Sequence, residues 1–248
     1  MNRNKKGFTL VELLVVIGIL GVLMGALFPA ISSAMLKANL SACATRGRNL
    51  YISIVGANQE REQANIGGSV WPKTEAEENA DTANDPLSAA VSSASEYFTL
   101  LFDMARAQDS ANRRKYVDVD PTVLSSSGVA PIPNGATKLD GKNCSWCVTA
   151  NVTDQLPEVY PVLFTRNIPV SELEQYVTSY DGGSKEVKLG KAGGAKYDSP
   201  FSTKAYVLIQ RNGSVVQQTA KYALSAVMFS RQPFQIEADV PPKFLDVD

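Results

Sequence analysis

Residues 5–31 of the chain read KKGFTLVELLVVIGILGVLMGALFPAI, and the interpretation of the remaining sequence depends on this segment. Within it, residues 8–31 contain a single charged side chain, Glu12. An apolar run of this length can cross the hydrocarbon core of a membrane as a helix. Three basic residues precede the run, and positive charge on a short flank is typical of the cytoplasmic side. The pattern predicts one membrane-spanning helix, with its N-terminus cytoplasmic and everything after residue 31 exported.

Glu12 is the unusual residue of this segment. An ionised carboxylate in hydrocarbon costs about 2–3 kcal/mol unless it finds a partner. Either the side chain reaches the cytoplasmic headgroups, about one helical turn away, or it has a specific partner. The residues around it bear on this choice.

A short basic leader that ends in Gly7, followed by Phe8-Thr9-Leu10-Val11-Glu12 and an unbroken apolar helix, resembles the class III signal of the type IV filament superfamily. This superfamily includes type IV pilins, type II secretion pseudopilins and competence pilins. The resemblance covers about the first fifty residues. It implies that a prepilin peptidase cleaves between Gly7 and Phe8 and methylates the new Phe8 amine. It also implies that Glu12 pairs with the N-terminal amine of a neighbouring subunit, and such a pair is satisfied only when the subunits are in register.

Two other interpretations of the N-terminus compete with this one. An ordinary secretory signal would have its small-residue cleavage site after the apolar run, whereas Gly7 lies before it. A plain single-pass anchor would need neither Gly7 nor Glu12 at that offset.

Composition and charge limit the other classes of function. The 248 residues carry a formal charge of −1, so no strongly basic field attracts nucleic acid, and we expect no nucleic-acid partner. The short run Arg113-Arg114-Lys115 is interpreted as a solvated surface. The chain contains no histidine, which removes histidine-based triads and histidine metal ligands. We expect no enzyme activity, no catalytic residue, no cofactor and no metal.

The three cysteines are Cys43, Cys144 and Cys147. In an oxidising compartment, the spacing of Cys144 and Cys147 is compatible with a local disulfide, which we expect to be structural. A redox-active pair is the alternative. Zinc is not expected, because two thiolates without histidine fall short of four ligands. Cys43 is expected to be a small packing residue on the long helix.

The helical pattern continues past the apolar run in amphipathic form, which predicts one helix from Phe8 to about Gln63. Its first part, residues 8–31, spans the membrane, and its second part, residues 32–63, packs on the exported domain. The apolar positions of the continuation are Ile31, Met35, Ala38, Ala42, Leu50, Ile54 and Ala57.

Pro29 lies inside this helix and is expected to kink or loosen it. In the resembling family, a proline at this offset marks a segment that can unwind within the filament. Gly18, Gly21 and Gly25 offer small surfaces where helices can approach closely. Alternatively, glycine and proline are simply common in membrane helices.

Residues 64–248 predict one exported domain. We expect Ile66-Gly67-Gly68 to end the long helix, a linker from Lys73 to about Asp85, and Ser95 to cap a short helix. Residues 108–143 read as loop, with one short strand at Tyr116–Val119.

Strand signals cluster late in the chain. Pro161 suggests that the strand containing it lies at an edge of the sheet, and Asn212-Gly213 predicts a hairpin. The segment Ala223–Phe229 fits either a strand or a short helix. The predicted strands are Cys147–Val152, Val159–Thr165, Glu186–Leu189, Ala205–Gln210 and Ser214–Gln218.

The resemblance implies an α+β, pilin-like fold, in which a long N-terminal transmembrane spine helix packs on a small antiparallel sheet domain. Residues 1–7 would be the cleaved leader. Major pseudopilins often bind calcium in a C-terminal loop, for which Asp181-Gly182-Gly183-Ser184 or Asp198 would be the candidates here. Calcium needs six to eight oxygen ligands and no tight acidic cluster is visible, so we expect no calcium site.

The sequence therefore predicts a structural subunit of a type IV-like filament, of the secretion-pseudopilus type. Its expected partners are prepilin peptidase, copies of itself, related pilins and an inner-membrane assembly platform. It would start in the bacterial inner membrane and end in a periplasmic or surface filament. The alternatives are an adhesive or competence-type pilin, or a membrane-anchored exported redox or binding protein that uses Cys144 and Cys147.

Overall fold

The computed structural model describes residues 8–76, 85–106, 116–178, 186–190, 200–220, 224–229 and 240–247. It divides the chain into two compact units, Met1–Asn39 and Leu40–Asp248. Several predicted features lie outside the described residues: the leader with Gly7, the basic run Arg113-Arg114-Lys115, the candidate calcium loops at Asp181-Gly182-Gly183-Ser184 and Asp198, and parts of the loops predicted at 73–85 and 108–143.

Helix α1 runs from Leu10 to Gln63, which confirms the single long N-terminal helix. Two residues beyond its end, Asn65 adopts the left-handed conformation (φ 53°), and the Ile66 N–H donates to the Arg61 carbonyl at 2.9 Å. Asparagine tolerates this conformation because its short polar side chain bonds locally, so Asn65 ends the helix before the predicted glycine pair.

The second unit contains a five-stranded antiparallel sheet with the strand order β5-β4-β2-β1-β7. A separate pair, β3 and β6, forms a two-stranded sheet. The strands are β1 (Trp146–Ala150), β2 (Pro161–Thr165), β3 (Glu186–Val187), β4 (Ala205–Gln210), β5 (Val215–Thr219), β6 (Leu224–Ser225) and β7 (Lys243–Leu245). The shorter helices are α2 (Ala94–Leu101) and α3 (Val170–Thr178), with 3₁₀ turns at Pro86–Ser88, Met104–Arg106, Pro121–Leu124, Gly141–Asn143 and Ala226–Phe229. The α+β, pilin-like layout of a long helix followed by a small antiparallel sheet is confirmed.

The β4–β5 hairpin is also confirmed. Gly213 has φ +79°, and the Gln210 N–H donates to the Ser214 carbonyl at 2.9 Å. The loop is thus a three-residue turn that ends in a left-handed glycine.

The predicted edge position of β2 is wrong. This strand lies in the middle of the sheet and pairs with both β1 and β4. Pro161 is tolerated because it is the first residue of the strand, where the register with β4 shifts between Pro161 and Leu163.

Two further predictions are corrected. The segment Tyr116–Val119 forms bends and no strand. The cap of α2 is Ser93, whose hydroxyl accepts the Glu96 N–H at 3.2 Å, while Ser95 lies inside the helix. The segment 223–229 was expected to be either a strand or a short helix. Its described part forms strand β6 and then a 3₁₀ turn.

The five-stranded sheet has a hydrophobic core on each face. On one face, Trp146 and Ile209 lie against Gly47 of α1. On the other face, the rings of Phe164, Phe229 and Phe244 meet edge to face at centroid distances of 5.5–5.7 Å. Alternate residues of each strand point to opposite faces, so the two cores draw on alternating positions of the same strands.

Candidate functional site

The N-terminus of α1 is closed by a reciprocal pair of side chains, Thr9 and Glu12. The Thr9 N–H and the Thr9 hydroxyl both donate to Glu12 Oε2, each at 2.8 Å. The Glu12 N–H donates to Thr9 Oγ1 at 3.3 Å. This arrangement is a capping box, in which two side chains satisfy backbone donors that the helix itself leaves unpaired.

The capping box gives Glu12 a partner within its own chain. From the sequence, the expected partner was either the lipid headgroups or a neighbouring subunit, and Thr9 was not considered. A Thr-x-x-Glu spacing at a helix start is nevertheless a recognised capping signal. Both donors from Thr9 use Oε2, and Oε1 accepts no hydrogen bond from another described residue. Glu12 is exposed, and so is Phe8, with 76 % of its surface accessible.

The first part of α1 is apolar and exposed. Between Phe8 and Ile31 every residue is exposed in the isolated chain. By length and composition α1 could cross a membrane, and it is the one helix of this kind among the described residues. The segment therefore fits a membrane anchor.

Pro29 leaves α1 uninterrupted in this structure. The helix passes through it, and two hydroxyl groups bond back to carbonyls of the same turn, Ser32 to Phe28 and Ser33 to Pro29, both at 3.0 Å. Unwinding at Pro29 within a filament stays a prediction.

The glycines of the apolar run lie on open surface. A Cβ added at Gly18, Gly21 or Gly25 would meet no other group within 4 Å. Close approach of a second helix at these positions therefore stays a prediction as well.

The expected Cys144–Cys147 disulfide is not formed. Both residues are free and fully buried. Cys147 lies in β1 and belongs to the cluster around Phe164, whereas Cys144 is three positions earlier in extended chain (φ −110°, ψ 130°). Side chains three apart in an extended segment point to opposite sides, so the two thiols turn away from each other.

The surroundings of the two thiols keep them protonated. The Cys144 thiol donates to the Trp146 carbonyl at 3.3 Å, and burial raises its pKa to about 12 despite the nearby charge of Arg166. The Cys147 thiol donates to Asp246 Oδ1 at 3.5 Å, and burial together with the Asp246 charge raises its pKa well above the usual range. Only the thiolate is an efficient nucleophile, so this geometry favours packing over redox chemistry.

Cys43 is a third buried free thiol, in agreement with the expected packing role. Burial raises its pKa to about 12.

An open groove of about 620 Å³ lies beside Trp71 in the second unit, between the end of α1 and the β4–β5 hairpin. Its polar groups are largely paired within the chain. The Tyr51 hydroxyl donates to the Arg211 carbonyl, and the Arg211 guanidinium pairs with Asp154 at 3.2 Å. Glu62 also lines the groove, but among the described residues no second unpaired charge converges with it to indicate a small-molecule site.

Residues 2–28 match the prokaryotic N-terminal methylation motif. The match covers the predicted cleavage position, Thr9, Glu12 and most of the apolar run. No curated protein and no solved structure matches the chain.

Proposed function

Since the N-terminal methylation motif and the long apolar helix fit a type IV pilin-like prepilin, we propose that this chain is a structural subunit of a type IV-like filament, of the secretion-pseudopilus type. The motif implies processing by prepilin peptidase and assembly with pilins. It supports a structural rather than a catalytic role.

Processing removes residues 1–7. The peptidase cleaves between Gly7 and Phe8 and methylates the Phe8 amine. The mature chain then begins next to Thr9, so a new cation arises beside the capping box. Residues 8–31 hold the subunit in the inner membrane with its N-terminus cytoplasmic, and residues 32–248 are exported.

Assembly brings the Phe8 amine of one subunit to Glu12 of the next. The observation that supports this most directly is the capping box, because it fixes the carboxylate at the start of the helix and uses only Oε2 among the described residues. A charge pair in low dielectric is favourable only with good geometry, so a fixed carboxylate selects one register between subunits.

The preference for a secretion-type filament rests on two features. The described part of the chain has no long C-terminal disulfide loop of the kind found in many adhesive pilins, since its cysteines are free. Its sheet domain is also small. Loss of protein secretion without loss of adhesion or of DNA uptake in a deletion strain would support this assignment over the adhesive and competence types.

The experiment that tests the proposal compares two variants in the native host. Glu12→Val is expected to insert and be processed normally but to form no filaments, because the Phe8 amine has no counter-charge. Gly7→Leu is expected to keep its leader, as read by mass spectrometry of the intact protein. Filaments that form normally with Glu12→Val, or a native protein that retains residues 1–7, would refute the proposal.

A further inference from the structure

The part of α1 that belongs to the second unit has one side packed against the sheet domain and another side exposed. The packed positions are Leu40, Cys43, Ala44, Gly47, Leu50, Ile54 and Ala57. Arg48, Ile52 and Glu62 are exposed and lie within about a quarter of a turn of one another around the helix, with Ile52 one turn and Glu62 about four turns beyond Arg48. Glu62 lies in the direction of Ala44, beyond the last packed position, and it lines the groove beside Trp71. We name these three residues the charged stripe.

The two charged side chains of the stripe are unpaired within the described part of the chain. Arg48 and Glu62 are exposed, and neither forms an ion pair or a side-chain hydrogen bond with a described residue. Neighbouring arginines behave differently: Arg46 donates to the Ser125 carbonyl at 2.9 Å, and Arg61 pairs with Asp85 at 2.5 Å.

Between these charges lies an exposed apolar side chain. Ile52 is 54 % exposed, and it is the one large hydrophobic residue of residues 40–63 exposed to that degree. The stripe thus has a cation at one end, an apolar side chain one turn beyond it and an anion at the other end, so a copy shifted by the length of the stripe brings opposite charges together.

We propose that the charged stripe contacts a second copy of this chain that is displaced along the helix axis, with Arg48 of one copy beside Glu62 of the other. The inference rests on the proposed filament function, because a shared membrane anchor makes all copies parallel. Parallel copies in register would place Arg48 against Arg48, which is repulsive. A displacement of about 21 Å, the rise between the two positions, replaces that repulsion with an attractive pair.

The contact pairs Arg48 of one copy with Glu62 of the other and removes the repulsion between like charges that the register without displacement would produce. The displacement is also a large fraction of the hydrocarbon core, which is about 30 Å thick. Two copies anchored at the same depth in the membrane cannot form the contact. It forms only when one copy has moved outward relative to the other, so it stabilises assembled subunits and leaves the membrane pool dispersed.

The test uses charge reversal in the full-length chain, with sedimented filament as the readout. Arg48→Glu and Glu62→Arg are each expected to lower filament yield by about tenfold or more, and the double variant Arg48→Glu/Glu62→Arg is expected to restore it. Glu60→Arg is the matched control: Glu60 is also exposed but lies about a third of a turn around the helix from Arg48, so this variant should assemble like the unmodified chain. Thermal unfolding of each variant in detergent checks that the fold is intact.

Normal assembly of either single variant, or a double variant that assembles no better than the singles, would overturn the inference. The proposed function is judged separately by Glu12→Val. If Glu12→Val blocks filaments while the Arg48 and Glu62 variants assemble normally, only the charged stripe is refuted. If the unmodified chain forms no filaments, the proposed function fails and the stripe fails with it.

Discussion

Two residues, Thr9 and Glu12, explain how a carboxylate is held at the start of an apolar helix. Each supplies what the other lacks, since Thr9 provides two donors to the carboxylate and a hydroxyl acceptor for the Glu12 N–H. An acidic side chain in the first turn is also favoured by the helix dipole. The position of Glu12 is therefore set by local chemistry before any second subunit arrives.

Replacing Thr9 tests this local role. Thr9→Val removes the hydroxyl that donates to Glu12 and accepts from its amide, whereas Thr9→Ser keeps it. Loss of such a cap costs about 1 kcal/mol, so the Glu12 amide should exchange with solvent about fivefold faster in the valine variant. Amide hydrogen exchange of the full chain in detergent measures this, and equal rates in the valine and serine variants would contradict the assignment.

Among the helices and strands, the contact between α1 and the sheet depends on Gly47. A Cβ at this position would lie 2.8 Å from Trp146 Cζ2 and 3.1 Å from Ile209 Cδ1. Both of those side chains are completely buried, so neither can move into solvent. The glycine sets how closely the helix approaches β1 and β4.

The substitution Gly47→Ala should destabilise the sheet domain by about 1–3 kcal/mol, because the added methyl overpacks a filled core. Gly56→Ala is the matched control on the same helix, since a Cβ there meets nothing within 4 Å. It should be neutral or stabilise by up to about 1 kcal/mol through helix propensity. Urea unfolding followed by tryptophan fluorescence compares the two, and a harmless alanine at Gly47 would disprove the close packing.

The elements that the sequence predicted well are those with strong local signals. The long apolar run gave α1, and Asn212-Gly213 gave the β4–β5 hairpin. Strand β7 carries too short a pattern to stand out, since only three residues pair with β1. Helix α3 follows Pro169 and begins with Val-Ser-Glu, a start signal that was overlooked. The central place of β2 depends on its neighbours in the sheet, which no local pattern reveals.

The residues of the candidate site also differ in how far the sequence alone could predict them. The roles of Phe8 and Glu12 were inferred from a resemblance carried by a contiguous signal, and they stay predictions. The state of Cys144 and Cys147 could not be predicted in this way, because it depends on the side to which each thiol points and, for Cys147, on Asp246, about a hundred residues later. Contacts of that range are set by the tertiary fold.

For the second unit as a whole, the buried thiols make the free energy of unfolding depend on pH. Burial raises the pKa of Cys43 and of Cys144 from 9.0 to about 12. The folded chain keeps these protons at pH values where the unfolded chain has released them. Their contribution to stability is therefore fully present below about pH 9 and is lost as the pH rises toward 12.

The free energy of unfolding should fall by about 1.4 kcal/mol per pH unit for each such thiol above pH 9. Cys144→Ala removes one of them, so its stability should fall less steeply over the same range while its tyrosines and lysines titrate as before. Urea unfolding at several pH values between about 8 and 10.5 measures both slopes. Parallel slopes would show that Cys144 does not stay protonated in the folded chain.

The pairing of β7 with β1 has a consequence for the order in which the thiols become buried. Cys147 shares a cluster with Phe244 and donates a hydrogen bond to Asp246, and both partners lie about a hundred residues further along the chain. Until β7 pairs with β1, the Cys147 thiol lacks both of these partners and is open to oxidation. Folding therefore competes with oxidation of the thiols. A variant in which β7 pairs more slowly with β1 should accumulate cross-linked subunits that cannot assemble.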